Sequence, residues 1–301
     1  MKDFDRFIQF CLRCGLLSIF LIGNNLGCTN PSVSQTSQPS ADALEPTNTI
    51  TILPTEVLST PALNELYQPT EVHTINVGWE MLGQVNKDRA LTDLRKLTGE
   101  EPICDDNECF TISNRLTGSK GLRWAKKYIN EELVKLGYSV ELDKWSRSIY
   151  ADQNLIAKKP GVSIPEEEVY FVAHIDGVKE GFEQQFPAAD DNASGVVDIL
   201  ELARVLSSHS FSRTIVLFFS TGEEQGALGV KSYLSHLSPK ELSSIKYVID
   251  VDMVGYDANG DAMMELWHGD HPTSLALTQL MSETIEAYQI NLAPSILVGC
   301  G

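Results

Sequence analysis

Positive charge is scarce in this chain: 23 lysines and arginines stand against 41 aspartates and glutamates, a formal net charge of −18 over 301 residues. Such a surface has no general attraction for phosphate backbones, which argues against nucleic acid as a partner. Cysteine is scarce too. Cys11, Cys14, Cys28, Cys104, Cys109 and Cys300 are too spread out for the framework of a small disulfide-rich domain. Cys11 and Cys14 have C-x-x-C spacing but lie in an apolar run without a second pair, so no redox or zinc role is read there. Internal repeats are missing. The apolar stretch 16–22 is too short to span a bilayer comfortably. What is present is 43% hydrophobic and 21% charged residues, enough for one large α/β domain with segments attached.

The amino-terminal segment reads as an address. Lys2, Arg6 and Arg13 surround the start of the apolar stretch, as in a signal peptide. Asn25-Leu26-Gly27-Cys28 then resembles a bacterial lipoprotein cleavage site, with Asn25 where leucine is usual. Residues 1–28 are therefore expected to direct export. A lipid on Cys28 that tethers the protein to a membrane, an ordinary cleavage and an uncleaved anchor all stay open. Residues 29–71 are rich in Ser, Thr and Pro, without apolar period, and are expected to be a disordered linker. Residues 72–301 are expected to fold. Cys104 and Cys109 flank a polar loop; in an exported protein they suit a local disulfide, with two free thiols as the alternative.

Helical spacing of apolar residues predicts helices over 88–97 and 119–136, the second stopped by Gly137. Residues 138–142 alternate like a strand. Three apolar runs, 169–173, 214–219 and 247–251, read as buried strands, with helical patterns over 195–206 and 227–237 between them. A further strand, 263–267, leads to a helix over 273–288 and an apolar run at 295–298. Alternating strands and helices with continuous apolar strands predict a three-layer α/β/α fold around a mostly parallel central sheet. The chain stops three residues after its last apolar run, so the domain is expected to be incomplete at its carboxyl end.

Metal-type ligands follow each strong strand. His174 and Asp176 follow the first, Asp190 and Asp191 precede the next helix, Glu223 and Glu224 follow the second, and Asp252 follows the third. In open α/β sheets ligands gather at the carboxyl ends of strands. Each group has a structural reading on its own: a loop pair, a helix cap, a solvated turn. Asp252 is harder to dismiss, because a carboxylate ending an apolar run is costly to bury unpaired. Together they fit hydrolysis by a metal-activated water. Imidazole with carboxylates suits zinc, a shared carboxylate can hold two cations, and a free carboxylate beside the water can move its proton.

Ala173-His174-Ile175-Asp176, Ala189-Asp190-Asp191-Asn192-Ala193-Ser194-Gly195, Gly222-Glu223-Glu224-Gln225-Gly226 and Asp250-Val251-Asp252-Met253 together resemble the co-catalytic zinc aminopeptidase family, which includes bacterial leucyl aminopeptidases and glutamate carboxypeptidase II. The likeness extends weakly to Asn114-Arg115-Leu116-Thr117-Gly118-Ser119 and Asn154-Leu155-Ile156-Ala157. It implies a zinc exopeptidase-like fold, peptide substrates and two zinc ions. By that resemblance His174 and Asp252 hold the first ion, Asp191 bridges, and Glu224 holds the second. Glu223 is the general base, and Asp176 is the carboxylate that orients His174. Asp190 precedes the bridging ligand and is not assigned to metal. The family's further histidine for the second ion is not met before Gly301, so this chain is expected to bind about one zinc and hydrolyse little. His268 and His271 lie in a polar loop and are expected to be solvated rather than substitutes, and Cys300 is expected to be a small buried residue. A glutaminyl cyclase-like transferase, a carboxypeptidase and a catalytically inactive exported binding lipoprotein stay open as alternatives. The specificity pocket is expected around residues 177–186.

Overall fold

The computed structural model describes residues 71–178 and 186–299. The expected signal segment, nearly all of the linker, most of the expected specificity loop and Cys300 lie outside the described residues. Where the linker was expected to end, helix α1 (Glu71–Gly83) begins, followed by α2 (Lys87–Thr98). The Asn86 side chain caps α2 by accepting from the Arg89 N–H at 3.0 Å, and Gly99 ends it in the left-handed region. Two short strands, β1 (Ile103–Cys104) and β2 (Cys109–Phe110), are joined by a Cys104–Cys109 disulfide. The long amphipathic helix α3 (Lys120–Lys135) is capped by Ser119.

A hairpin of β3 (Ser139–Arg147) and β4 (Tyr150–Lys159) leads to β5 (Ile164–His174). An irregular turn, Ala189–Ser194, opens helix α4 (Gly195–Ser207). Then come β6 (Arg213–Ser220), α5 (Leu228–His236), α6 (Pro239–Ser244) and β7 (Ile245–Asp250). Last are β8 (Met263–His268), α7 (Pro272–Ala287) and β9 (Ala293–Val298).

Five strands form the central sheet in the order β3-β4-β6-β5-β7. β6, β5 and β7 pair parallel, with Phe171 opposite both Leu217 and Ile249. β4 runs antiparallel between β3 and β6, so only one strand of the five is reversed. β8 and β9 make a separate parallel pair.

Alternation along the strands divides the core. Phe171, Leu217 and Ile249 share a cluster with Leu122 and Ile129 of α3 and Leu200 of α4. The intervening Tyr170, Val216 and Phe218 turn the other way, against Val230 and Tyr233 of α5. Helices therefore cover both faces, which is the three-layer arrangement and explains why the inner strands read as unbroken apolar runs.

Candidate metal centre

Strands β5, β6 and β7 run in one direction, so their carboxyl ends lie at one edge of the sheet. There the chain changes from apolar to acidic. The Nε2 atom of His174 lies 3.0 Å from Asp191 Oδ1 and 3.6 Å from Asp252 Oδ1. One ligand atom each from His174, Asp191 and Glu224 fall within 4.8 Å of one another. His174 is buried, and Glu224 Oε1 is shielded from water without a hydrogen-bond partner. A buried acceptor left in that condition is costly unless a cation completes it. One imidazole nitrogen and carboxylate oxygens are a donor set that suits zinc. The residues present therefore fit zinc: His174, Asp191 and Glu224 could hold an ion, and Asp252 stands beside them.

Asp176 acts differently from the sequence reading. Its main-chain carbonyl, not its carboxylate, lies against His174 Nδ1 at 2.9 Å, while Oδ1 stands 3.9 Å away. The fully buried carboxylate instead accepts from the N–H groups of Glu223 and Glu224, both at 3.3 Å, and from the Thr117 hydroxyl at 3.3 Å. The turn after β6 presents those amides to it, so it anchors the glutamate pair. Asp190 points away from the cluster and accepts from the Gly255 N–H at 2.8 Å. His271 accepts at the start of α7 and His268 lies beside the Gly269 carbonyl. Neither joins the cluster found among the described residues.

Two supporting residues carry no signal at the level of chemistry. Asn192, fully buried, donates to the Val251 carbonyl at 2.8 Å and accepts from the Gly195 N–H at 2.9 Å. It ties the Asp191 turn to the residue before Asp252. Arg115 is also buried. It donates at 2.7 Å to the carbonyls of Leu97, Ile175, Pro187 and Ala188. Ile175 lies between His174 and Asp176, and Pro187 and Ala188 lead into the Asp190–Asp191 turn. Burial pulls the guanidinium down to about 10, with Asp176, Asp191 and Glu224 opposing, so it stays charged at neutral pH.

The backbone is constrained at the same places. Ala188, Ala227 and Met253 all have positive φ, and each follows or precedes one of the acidic groups. Such conformations cost on the order of 1–3 kcal/mol and cluster at functional sites. The peptide between Asp191 and Asn192 is cis. Gly222 has φ 74°, and a side chain there would meet the Trp145 ring.

Burial sets the electrostatics, and repulsion among the acids adds to it. Burial, then Asp191, pushes Glu224 up to about 7, and burial, then Asp252, pushes Asp250 up to about 7. Burial also raises Glu223 and Asp176. Burial opposes a charged His174, yet hydrogen bonds to Asp191 and Asp252 hold it well above its usual range. Each of these groups binds its proton more tightly folded than unfolded. Their stabilising contribution is complete below the unfolded values and is lost as pH rises through the folded ones. Zinc-free protein is thus expected to melt at a lower temperature at about pH 8 than at about pH 5, with added zinc reversing the loss at about pH 8. A melting temperature that is flat or rises over that range would contradict the arrangement.

Comparison with known proteins agrees with this geometry. Residues 154–298 match the model of peptidase family M28. The chain is 40% identical over 104 residues to aminopeptidase YwaD of Bacillus subtilis, covering 34% of this chain and 22% of that protein. It is 31% identical over 145 residues to a probable leucine aminopeptidase 2 of Aspergillus oryzae, covering 44% and 28%. The chain thus spans less than a third of either relative. Among solved structures, LapB from Legionella pneumophila superposes with a TM-score of 0.57 at 22% identity, over 74% of this chain and 57% of that one. A Macrostomum lignano glutaminyl cyclase superposes with 0.54 at 16% identity, over 74% of each. These two likenesses show the fold. The stretch that holds all four acidic motifs, residues 154–298, is thus similar to peptidase family M28.

Proposed function

We propose that this protein is an exported zinc aminopeptidase that removes residues from the amino termini of peptides. The observation that carries it is the meeting of His174, Asp191, Asp252 and Glu224 at one edge of the sheet, with Glu224 Oε1 buried and unpartnered. His174, Asp191 and Asp252 would hold one ion, and Asp191 shared with Glu224 would make a second position. Bound zinc supplies a Lewis acid for the scissile carbonyl and acidifies water. Glu223, raised above the usual carboxylate range by burial, takes the proton of the attacking water and delivers it to the departing amine nitrogen. Asp176 holds Glu223 and Glu224 through their amides. The Cys104–Cys109 disulfide supports an oxidising, extracytoplasmic location.

The test is zinc content together with hydrolysis of leucine p-nitroanilide by the native chain and Glu223→Gln; even slow turnover allows the comparison. The variant is expected to retain zinc and lose at least about 10²-fold in rate. Unchanged turnover would remove Glu223 from its role. Ammonia release from an amino-terminal glutamine peptide, without p-nitroaniline release, would favour the cyclase reading instead.

A further inference from the structure

A second site lies where this acidic chain concentrates positive charge. Arg123, Lys126, Lys127 and Asn130 follow i, i+3, i+4, i+7 spacing and share one face of α3. That face borders a cleft of about 560 Å³ whose far wall is the β3–β4 hairpin. Lys144 and its cross-strand partner Gln153 enter from the hairpin, as do Leu142 and its partner Leu155. Four cations therefore converge on one cleft in a chain of net charge −18, and Asp152 is the one carboxylate lining it.

Two of the cations are committed. Lys126, nearly buried, pairs with Asp152, and Lys127 pairs with Asp105 at 3.1 Å and Glu131 at 2.6 Å. The other two are not. Arg123 donates to the Gly118 carbonyl at 2.8 Å, and neither it nor Lys144 has a carboxylate partner among the described residues. Both are exposed. Two like charges left without counter-ions across a ligand-sized cleft are a receptor for paired anions.

We propose that this cleft binds a carboxylate-rich peptide segment. The exposed Leu142 side chain, with the amides of Asn130 and Gln153, suits side chains and main chain better than a string of phosphates. β3 is the edge strand of the sheet, so an extended peptide can lie along it. A long polyanion would in addition meet the repulsion of the whole chain. The inference does not rest on the peptidase reading.

The probe is an N-acetylated, C-amidated pentaglutamate peptide, titrated into the full chain with chelator present, so that neither zinc nor a free amino terminus contributes. It is expected to bind at least about tenfold more tightly than pentaglutamine, and more weakly as salt rises. Arg123→Glu and Lys144→Glu should each weaken it about tenfold or more while leaving the melting temperature unchanged, since both residues are exposed. Equal affinity for pentaglutamine, or no effect of either substitution, overturns the proposal. Tighter binding of an oligothymidylate of equal charge also overturns it, in favour of a phosphate-polymer site.

Discussion

Asp191→Ala is expected to strip zinc from this protein, whereas Asp190→Ala, one residue away, is expected to leave it bound. The adjacent aspartates differ in what they face. Asp191 Oδ1 lies 3.0 Å from His174 Nε2, and that hydrogen bond first, with help from Arg115, holds its carboxyl below the usual range. It therefore stays ionised where a cation competes with protons, and in the proposed site it is the carboxylate that both ion positions would share. Removal of a partner that merely orients a ligand lowers metal affinity about 10–100-fold, so removal of a shared ligand should exceed about 100-fold. Asp190 accepts from the Gly255 N–H and, through its carbonyl, from the Ser194 hydroxyl. Truncating its side chain loses the Gly255 hydrogen bond and a long one from Ser194, about 1–2 kcal/mol, and no ligand. Competition with a chromogenic chelator measures both variants. Zinc retained by Asp191→Ala would rule out the shared position. Equal losses from both variants would mean that the turn as a whole, not one carboxylate, binds the ion.

That assignment begins from residues a reader can see, because the three buried strands announce themselves. β5 and β6 are covered on both faces, so 169–173 and 215–219 are continuous apolar runs; 247–251 is broken only by Asp250, and the polar residues that follow these runs mark the carboxyl edge. Legibility falls where burial is one-sided or short. β4 spans ten residues, but only Asn154 to Ala157 are buried, so its polar flanks hide the strand and with it the antiparallel half of the sheet. α1 is likewise concealed, with Gly78, Met81 and Leu82 alone fully covered among its described side chains. Within the site, titratable ligands stand out by type. Their supports do not, because Arg115 and Asn192 act on main-chain carbonyls. Any residue supplies a carbonyl, and only the folded chain says which ones meet. The same holds for Asp176, whose type suggests a carboxylate behind an imidazole but whose position puts its carbonyl there and its carboxylate on the next turn.

Arg115→Met should be the most damaging substitution for stability. The methionine fills much of the same volume but donates nothing, so the carbonyls of Leu97, Ile175, Pro187 and Ala188 all lose their guanidinium partner. Breaking a buried, fully hydrogen-bonded charge costs about 3–5 kcal/mol. For a domain of this size that is a fall in melting temperature of roughly 6–20 °C. The acidic cluster suffers as well, because Arg115 is, after His174, a buried positive charge felt by Asp191, and its field opposes the repulsion among the acids. Zinc should consequently bind more weakly even at temperatures where the variant is folded. Arg115→Lys separates the two effects. An ammonium restores the charge but cannot reach four carbonyls in a planar fork, so it should recover zinc affinity more than melting temperature. Thermal melting with and without zinc, alongside a zinc titration well below the transition, tests both. A methionine variant that melts like the native protein would show the clasp to be dispensable. A lysine variant that recovers stability but not zinc affinity would show that geometry, and not charge, is what Arg115 provides to the site.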